Sequence, residues 1–106
     1  MSDSPSIDRI WPDPEPGLDD AALLALTAFP ADRTWLRVNF ISSIDGAATR
    51  HGLSGGLGDD ADHRLFDLLR RAADVVLVGA GTLRDEGYGG LRVDEASVAW
   101  RTDAGM

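Results

Sequence analysis

VVLVGAGTLRDEGYGG, Val75 to Gly90, decides how the rest of the chain is read. Its Val/Leu run, Val75 to Val78, has the pattern of a strand buried on both faces and leads straight into Gly79-Ala80-Gly81-Thr82. Gly-Ala-Gly opens like a dinucleotide-binding fingerprint. That fingerprint needs glycine at the first, third and sixth places, directly after the first strand of a βαβ unit. The sixth place here is Arg84, whose side chain blocks close helix-on-strand packing, and no strand ends in an acid about twenty residues later. The Rossmann reading is therefore rejected. The P-loop reading fails as well, because no Gly-Lys-Ser/Thr occurs. What remains is the carboxyl end of a strand, where the backbone N–H groups of Gly79 to Thr82 face a ligand. Thr82 adds a hydroxyl at the start of a short helix suited to a phosphate. A tight helix turn with a capping threonine is the plainer reading of the same residues.

Moving back along the chain, Asp59 to Ala73 reads as a helix. Ala61, Leu65, Leu68, Leu69 and Ala72 share one face. Asp59, Asp60 and Asp62 crowd its first turn and Arg70 and Arg71 its last, as the helix dipole favours. Before it lies a glycine-rich loop, HGLSGGLGDD, whose place between a strand and a helix favours a binding loop over a linker. WLRVNFIS, Trp35 to Ser42, alternates Leu36, Val38 and Phe40 with Arg37 and Asn39, as a strand does, and ends in an Asp45-Gly46 turn. Strand, helix and strand in that order predict a βαβ unit with a parallel sheet. A further helix is expected from about Asp19 to Phe29, capped by Asp19 or Asp20, with Ala22, Leu23 and Leu26 inward and Pro30 as its stop. Residues 1–17 hold four of the five prolines and read as an extended arm. Ile7, Ile10 and Trp11 are candidates to pin that arm to a surface; a solvated leader is the other reading. Beyond Gly90, Ser97 to Arg101 offers at most one weak strand. Two or three parallel strands cannot bury both faces or satisfy their edges. The expectation is thus an incomplete α/β fold, with residues 18–106 the N-terminal part of a larger domain or with partner chains completing the sheet.

The chain of 106 residues suits one domain, and its net charge of −8 opposes sequence-independent binding to nucleic acid or anionic lipid. With no cysteine, thiol chemistry, disulfides and cysteine-bound metal are excluded. His51 and His63 lack zinc-site spacing and read as a solvated loop residue and a polar-face helix residue; no metal site is expected. The first residues lack the basic and apolar regions of a signal peptide, so cytoplasm is the default. Asp45, beside a glycine in a turn, is read as a cap for nearby N–H groups rather than as an acid or base. No nucleophile–base pair is found, and no catalytic residue is assigned.

Three segments taken together, VNFISSIDGAAT, HGLSGGL and LLRRAADVVLVGAGTLRDEGYGGLR, resemble the front half of the riboflavin-biosynthesis reductase domain. This is the C-terminal reductase domain of the bifunctional deaminase–reductase and of its stand-alone actinobacterial relatives. The resemblance runs from about Trp11 to Arg92 and implies a dihydrofolate-reductase-like three-layer fold. It also implies reduction of a phosphoribosylamino-pyrimidine, with hydride passing from NADPH to the ribose C1′. A pterin or dihydrofolate reductase is the nearest enzyme alternative. A non-catalytic nucleotide-binding or dimerisation fragment is the alternative from another class. The family's back half is expected to be missing, leaving the chain catalytically incomplete.

By the same resemblance, Ile41, Gly56, Gly79, Gly81, Thr82 and Glu86 fall at cofactor-binding positions, and Ser54, Arg70 and Arg92 at substrate-binding positions. Thr82 matches the threonine that contacts NADP. Gly56 stands where the family often has Trp, which removes a stacking surface. Glu86 stands where an Asp is usual. Arg92 fits the arginine expected to meet the substrate phosphate, and Arg71 is read as a helix-dipole complement. Homodimerisation of the full-length form is expected from family relatives and from the leftover sheet edges.

Overall fold

The computed structural model describes residues 5–49, 51, 57–86 and 92–106, with Glu86 described by its backbone alone. These residues form four helices: α1 (Asp20–Leu26), α2 (Asp60–Ala72), α3 (Ala80–Glu86) and α4 (Glu95–Asp103). Helix α2 is the centre. Helices α1 and α4 pack against it, whereas α3 packs on no other helix among the described residues.

Each of the three packed helices begins at an aspartate. Asp19 accepts from the Ala22 N–H at 2.8 Å, Asp59 from the Asp62 N–H at 2.9 Å and Asp94 from the Ser97 N–H at 2.8 Å. Each carboxylate thereby satisfies a first-turn donor that the helix itself leaves open, and it sits at the positive end of the dipole. Thr27 closes α1 two residues before Phe29, its hydroxyl donating to the Leu23 carbonyl at 2.9 Å.

The core is small. Leu18, Leu23, Leu24 and Leu68 are buried, with Ile7, Ala22, Ala72 and Trp100 packed on them. Leu24 rather than Leu26 turns inward on α1, and Leu68 is the deepest residue of α2 at 2% exposure. Helix α4 is clamped to α2 by polar contacts. Arg101 Nη1 donates to the carbonyls of Arg71 and Ala73 at 2.9 and 2.6 Å, and Arg71 Nε donates to Ser97 Oγ at 2.8 Å.

The N-terminal arm folds back on itself. Arg9 and Glu15 exchange both backbone hydrogen bonds at 2.8 Å, and Leu18 N–H reaches the Ile7 carbonyl at 2.8 Å. Arg64 on α2 holds the base of the arm, donating to the carbonyls of Pro5 and Leu18 and to Asp20. Ile7 therefore pins the arm to the core, whereas Ile10 and Trp11 stand out in solvent.

The α/β expectation is corrected. No sheet is present among the described residues, and the isolated Arg9–Glu15 bridge is their only β-pairing. Neither Trp35–Ser42 nor Val75–Val78 forms a strand, so the βαβ unit, the parallel sheet and the dihydrofolate-reductase-like three-layer fold are absent among the described residues. The physical reason is that a strand exists only through its ladder partner, and β-forming residues report a fit to a pleated, covered surface without supplying one. Here those side chains are uncovered, with Phe40 88% and Leu77 80% exposed. The weak strand expected at Ser97 to Arg101 is instead the body of α4, nucleated by the Asp94 cap.

Candidate functional site

Arg70 lies in the last turn of α2, and two concavities meet there. The smaller, a cleft of about 130 Å³, is lined by Asp67, Arg70, Arg92, Val93, Asp94 and Ser97. The larger, an open groove of about 550 Å³, runs between Trp35–Phe40 on one side and Val75–Gly79 on the other, with Phe66, Leu69, Arg70 and Thr82 also on its walls. That volume falls in the range of ligand-binding sites.

Arg70 is shaped by its own helix. Its guanidinium lies 4.5 Å from the centre of the Phe66 ring, one turn back on α2. Its Nε is buried and has no hydrogen-bond partner among the described residues. A buried guanidinium donor without an acceptor is costly to the fold, and an anionic ligand is one way to satisfy it. On the other wall, Arg37 lies 4.5 Å from the Phe29 ring centre and donates to the Thr27 carbonyl. Arg37 and Arg70 are the only charged residues among the described lining of the groove.

The cleft has a fixed floor. Asp94 caps α4, and its carboxyl is held below the usual range, first by the Ser97 hydroxyl, then by the Ser97 N–H, with Arg71 adding attraction. Arg71 is committed to Ser97 and stands 4.0 Å from Asp94. It thus ties α2 to α4, while Arg70 and Arg92 face the cleft. The role expected of Arg71, a helix-dipole complement, understates this tie. Asp67, Asp94 and Ser97 were not expected at the site. The Asp94-x-x-Ser97 cap was the signal available for two of them.

Among the cofactor positions, Gly79 and Thr82 both line the groove. Ala80 to Glu86 is helical and the first bond of α3 runs from the Leu83 N–H to the Gly79 carbonyl at 2.9 Å, so the preceding N–H groups have no partner within the helix. A side chain at Gly79 or Gly81 would meet nothing within 4 Å, so neither glycine is required by crowding. Ile41 is half-buried just past the groove wall that ends at Phe40. Ser54 and Gly56 lie outside the described residues, as does the side chain of Glu86.

Asp45 has the turn role expected of it. It accepts from the Ser43 hydroxyl and from the Ala47 N–H, and these bonds, the hydroxyl first, lower its pKa. His51 and His63 are both exposed, and no helix among the described residues is long and apolar enough to cross a membrane.

The RibD C-terminal domain model matches residues 34–97. The chain belongs to the RibD C-terminal domain family. The RibD C-terminal match takes in every expected site position from Ile41 to Arg92, and it leaves the N-terminal arm and α1 outside. The chain is therefore related to a riboflavin-biosynthesis reductase domain. No curated protein matches it.

Proposed function

We propose that the chain carries binding elements of an NADPH-dependent reductase acting on a phosphoribosylamino-pyrimidine. Arg70 carries this reading, because it borders both the cleft that holds Arg92 and the groove that holds Gly79 and Thr82. A substrate phosphate would take the Arg70–Arg92 side, where the two guanidinium groups would have to offset Asp67 and Asp94 on the same cleft. The nicotinamide nucleotide would take the groove side, where apolar walls suit a ring and Thr82 supplies a hydroxyl donor. Bound there, NADPH supplies the hydride that reduces the ring-opened imine carbon C1′, and a proton from solvent completes the amine.

The chain's own contribution is positional. Arg70 would fix the substrate relative to the cofactor through one side chain shared by both sites, so that the two reacting carbons meet in one geometry. Hydride addition to the imine carbon, with the proton taken from solvent, asks the chain for position rather than for a nucleophile.

A thermal melt of the full chain with and without NADPH tests the reading, since a ligand that binds the native state raises its transition. A rise that is reduced in Thr82→Val and Arg70→Gln supports it. Absence of any shift at saturating NADPH removes the cofactor half. Loss of reduced-nicotinamide absorbance with the ribosylamino-pyrimidine, against dihydropterin as comparison, tests the substrate half.

A further inference from the structure

We infer that Arg71 is a positioning residue of the cleft: by holding Ser97 and Asp94 it keeps that carboxylate off Arg70 and Arg92, which stay open to an anion. The inference rests on the reading of this cleft as the substrate-phosphate site. The cleft brings two guanidinium groups, Arg70 and Arg92, together with two carboxylates, Asp67 and Asp94. Opposite charges so placed ordinarily pair, and a paired arginine has fewer donors left for a phosphate. Yet among the described residues no ion pair joins these arginines to these carboxylates.

Helix geometry separates the two neighbouring arginines. Successive residues point about 100° apart on a helix, so Arg70 lies over the Phe66 ring while Arg71 reaches across to α4. Arg71 Nε donates to Ser97 Oγ at 2.8 Å, and Ser97 is buried. A hydroxyl has one hydrogen to give. With Arg71 donating to the oxygen, that hydrogen goes to the Asp94 carboxylate, where it is the strongest influence favouring the charged form. The Ser97 N–H adds a second bond to Asp94 at 2.8 Å, and Arg71 Nη2 stands 4.0 Å from the same oxygen. Among the described residues, the cation that draws on this carboxyl is Arg71, with no share from Arg70 or Arg92. The relay is braced from behind, since Arg101 Nη1 donates to the Arg71 carbonyl at 2.9 Å. The Asp94 side chain is 67% exposed, so once these ties are cut it is free to swing toward the open guanidinium groups.

The test titrates inorganic phosphate by calorimetry into the full-length wild type, Arg71→Gln, Asp94→Asn and the double variant. Asparagine is also a good helix cap, so α4 keeps its start. Arg71→Gln should weaken phosphate about fivefold, and adding Asp94→Asn should recover that loss while changing wild type by less than about twofold. An Arg71→Gln chain that binds as wild type does overturns the inference. So does a loss that the double variant fails to recover, which makes Arg71 a tie for folding alone, or an equal gain from Asp94→Asn in both backgrounds. A wild-type chain that binds no phosphate defeats the substrate-phosphate reading, and the inference is then decided without ligand, by NMR titration of the Asp94 carboxyl. Arg70→Gln should leave the Asp94 midpoint unmoved in the wild-type background and raise it once Arg71→Gln is present, because only then do Asp94 and Arg70 pair. Equal shifts in the two backgrounds overturn the inference.

Discussion

The guanidinium of Arg70 rests over the ring of Phe66, one turn earlier on α2, with its centre 4.5 Å from the ring centre and its Nε buried without an acceptor among the described residues. The same side chain borders the cleft and the groove. A residue that satisfies the fold poorly and sits where two concavities meet has the profile of a binding residue, because an unpaired buried donor costs about 1–3 kcal/mol.

Arg70→Met separates the two roles. The thioether keeps contact with the Phe66 ring and removes the unpaired donor, so stability in urea stays the same or rises by about 1 kcal/mol. NADPH or inorganic phosphate binding, read by titration calorimetry, falls at least tenfold. A loss of more than about 2 kcal/mol of stability would instead make Arg70 a structural residue.

Leu68→Ala and Leu77→Asn form a matched pair. Leu68 is 2% exposed in a core of few residues, so its truncation costs about 2–5 kcal/mol and leaves little folded chain. Leu77 is 80% exposed, so Leu77→Asn changes stability by less than about 0.5 kcal/mol. Urea midpoints of the two variants check this. A large cost at Leu77 would mean that the Val75–Val78 run is covered after all.

Asp94→Ala removes the α4 cap and lowers stability by about 1 kcal/mol at neutral pH. The wild-type carboxyl titrates below its ordinary value because Ser97 and Arg71 favour the charged form. Its stabilising contribution is therefore fully present above the unfolded-state value of about 3.9 and is lost as pH falls through the lower folded-state value. Urea midpoints taken from about pH 6 down to about pH 2 should show an acid-dependent fraction in wild type that Asp94→Ala lacks.

Arg64→Ala frees the base of the arm. The Arg64–Asp20 pair, at 2.7 Å, is partly solvent-screened, since the Asp20 side chain is 49% exposed. The bonds to the Pro5 and Leu18 carbonyls are part-buried and matter more. A cost of about 1–2 kcal/mol is expected. Limited proteolysis should then cut within residues 5–18 sooner, while the α2–α4 clamp through Arg101 persists.

The local elements were readable where one signal sufficed. The start of α1 was legible from a cap at Asp19 or Asp20 and that of α2 from the acids Asp59, Asp60 and Asp62 crowding one end of an apolar face, because both signals act within a few residues. Helix α4, where a weak strand was expected, starts at the Asp94 cap, while Val98 and Trp100 within it are β-forming residue types. Of the candidate site, the sequence points to Arg70, Arg92, Gly79 and Thr82, which stand on the walls of the cleft and the groove, whereas Asp94 and Ser97 carry only the signature of a helix cap and Asp67 and Arg37 carry none as lining residues.

By itself the sequence determined the starts of α1 and α2, the apolar face of α2, the turn at Asp45 and the family, because each rests on residues close in the chain or on an ordered set of short motifs. Tertiary structure alone decided what becomes of WLRVNFIS and VVLV. A strand is a relation between two segments, and among the described residues neither segment has a ladder partner. Both stay open along one groove, and the arginine at the end of α2 links that groove to the cleft beside it.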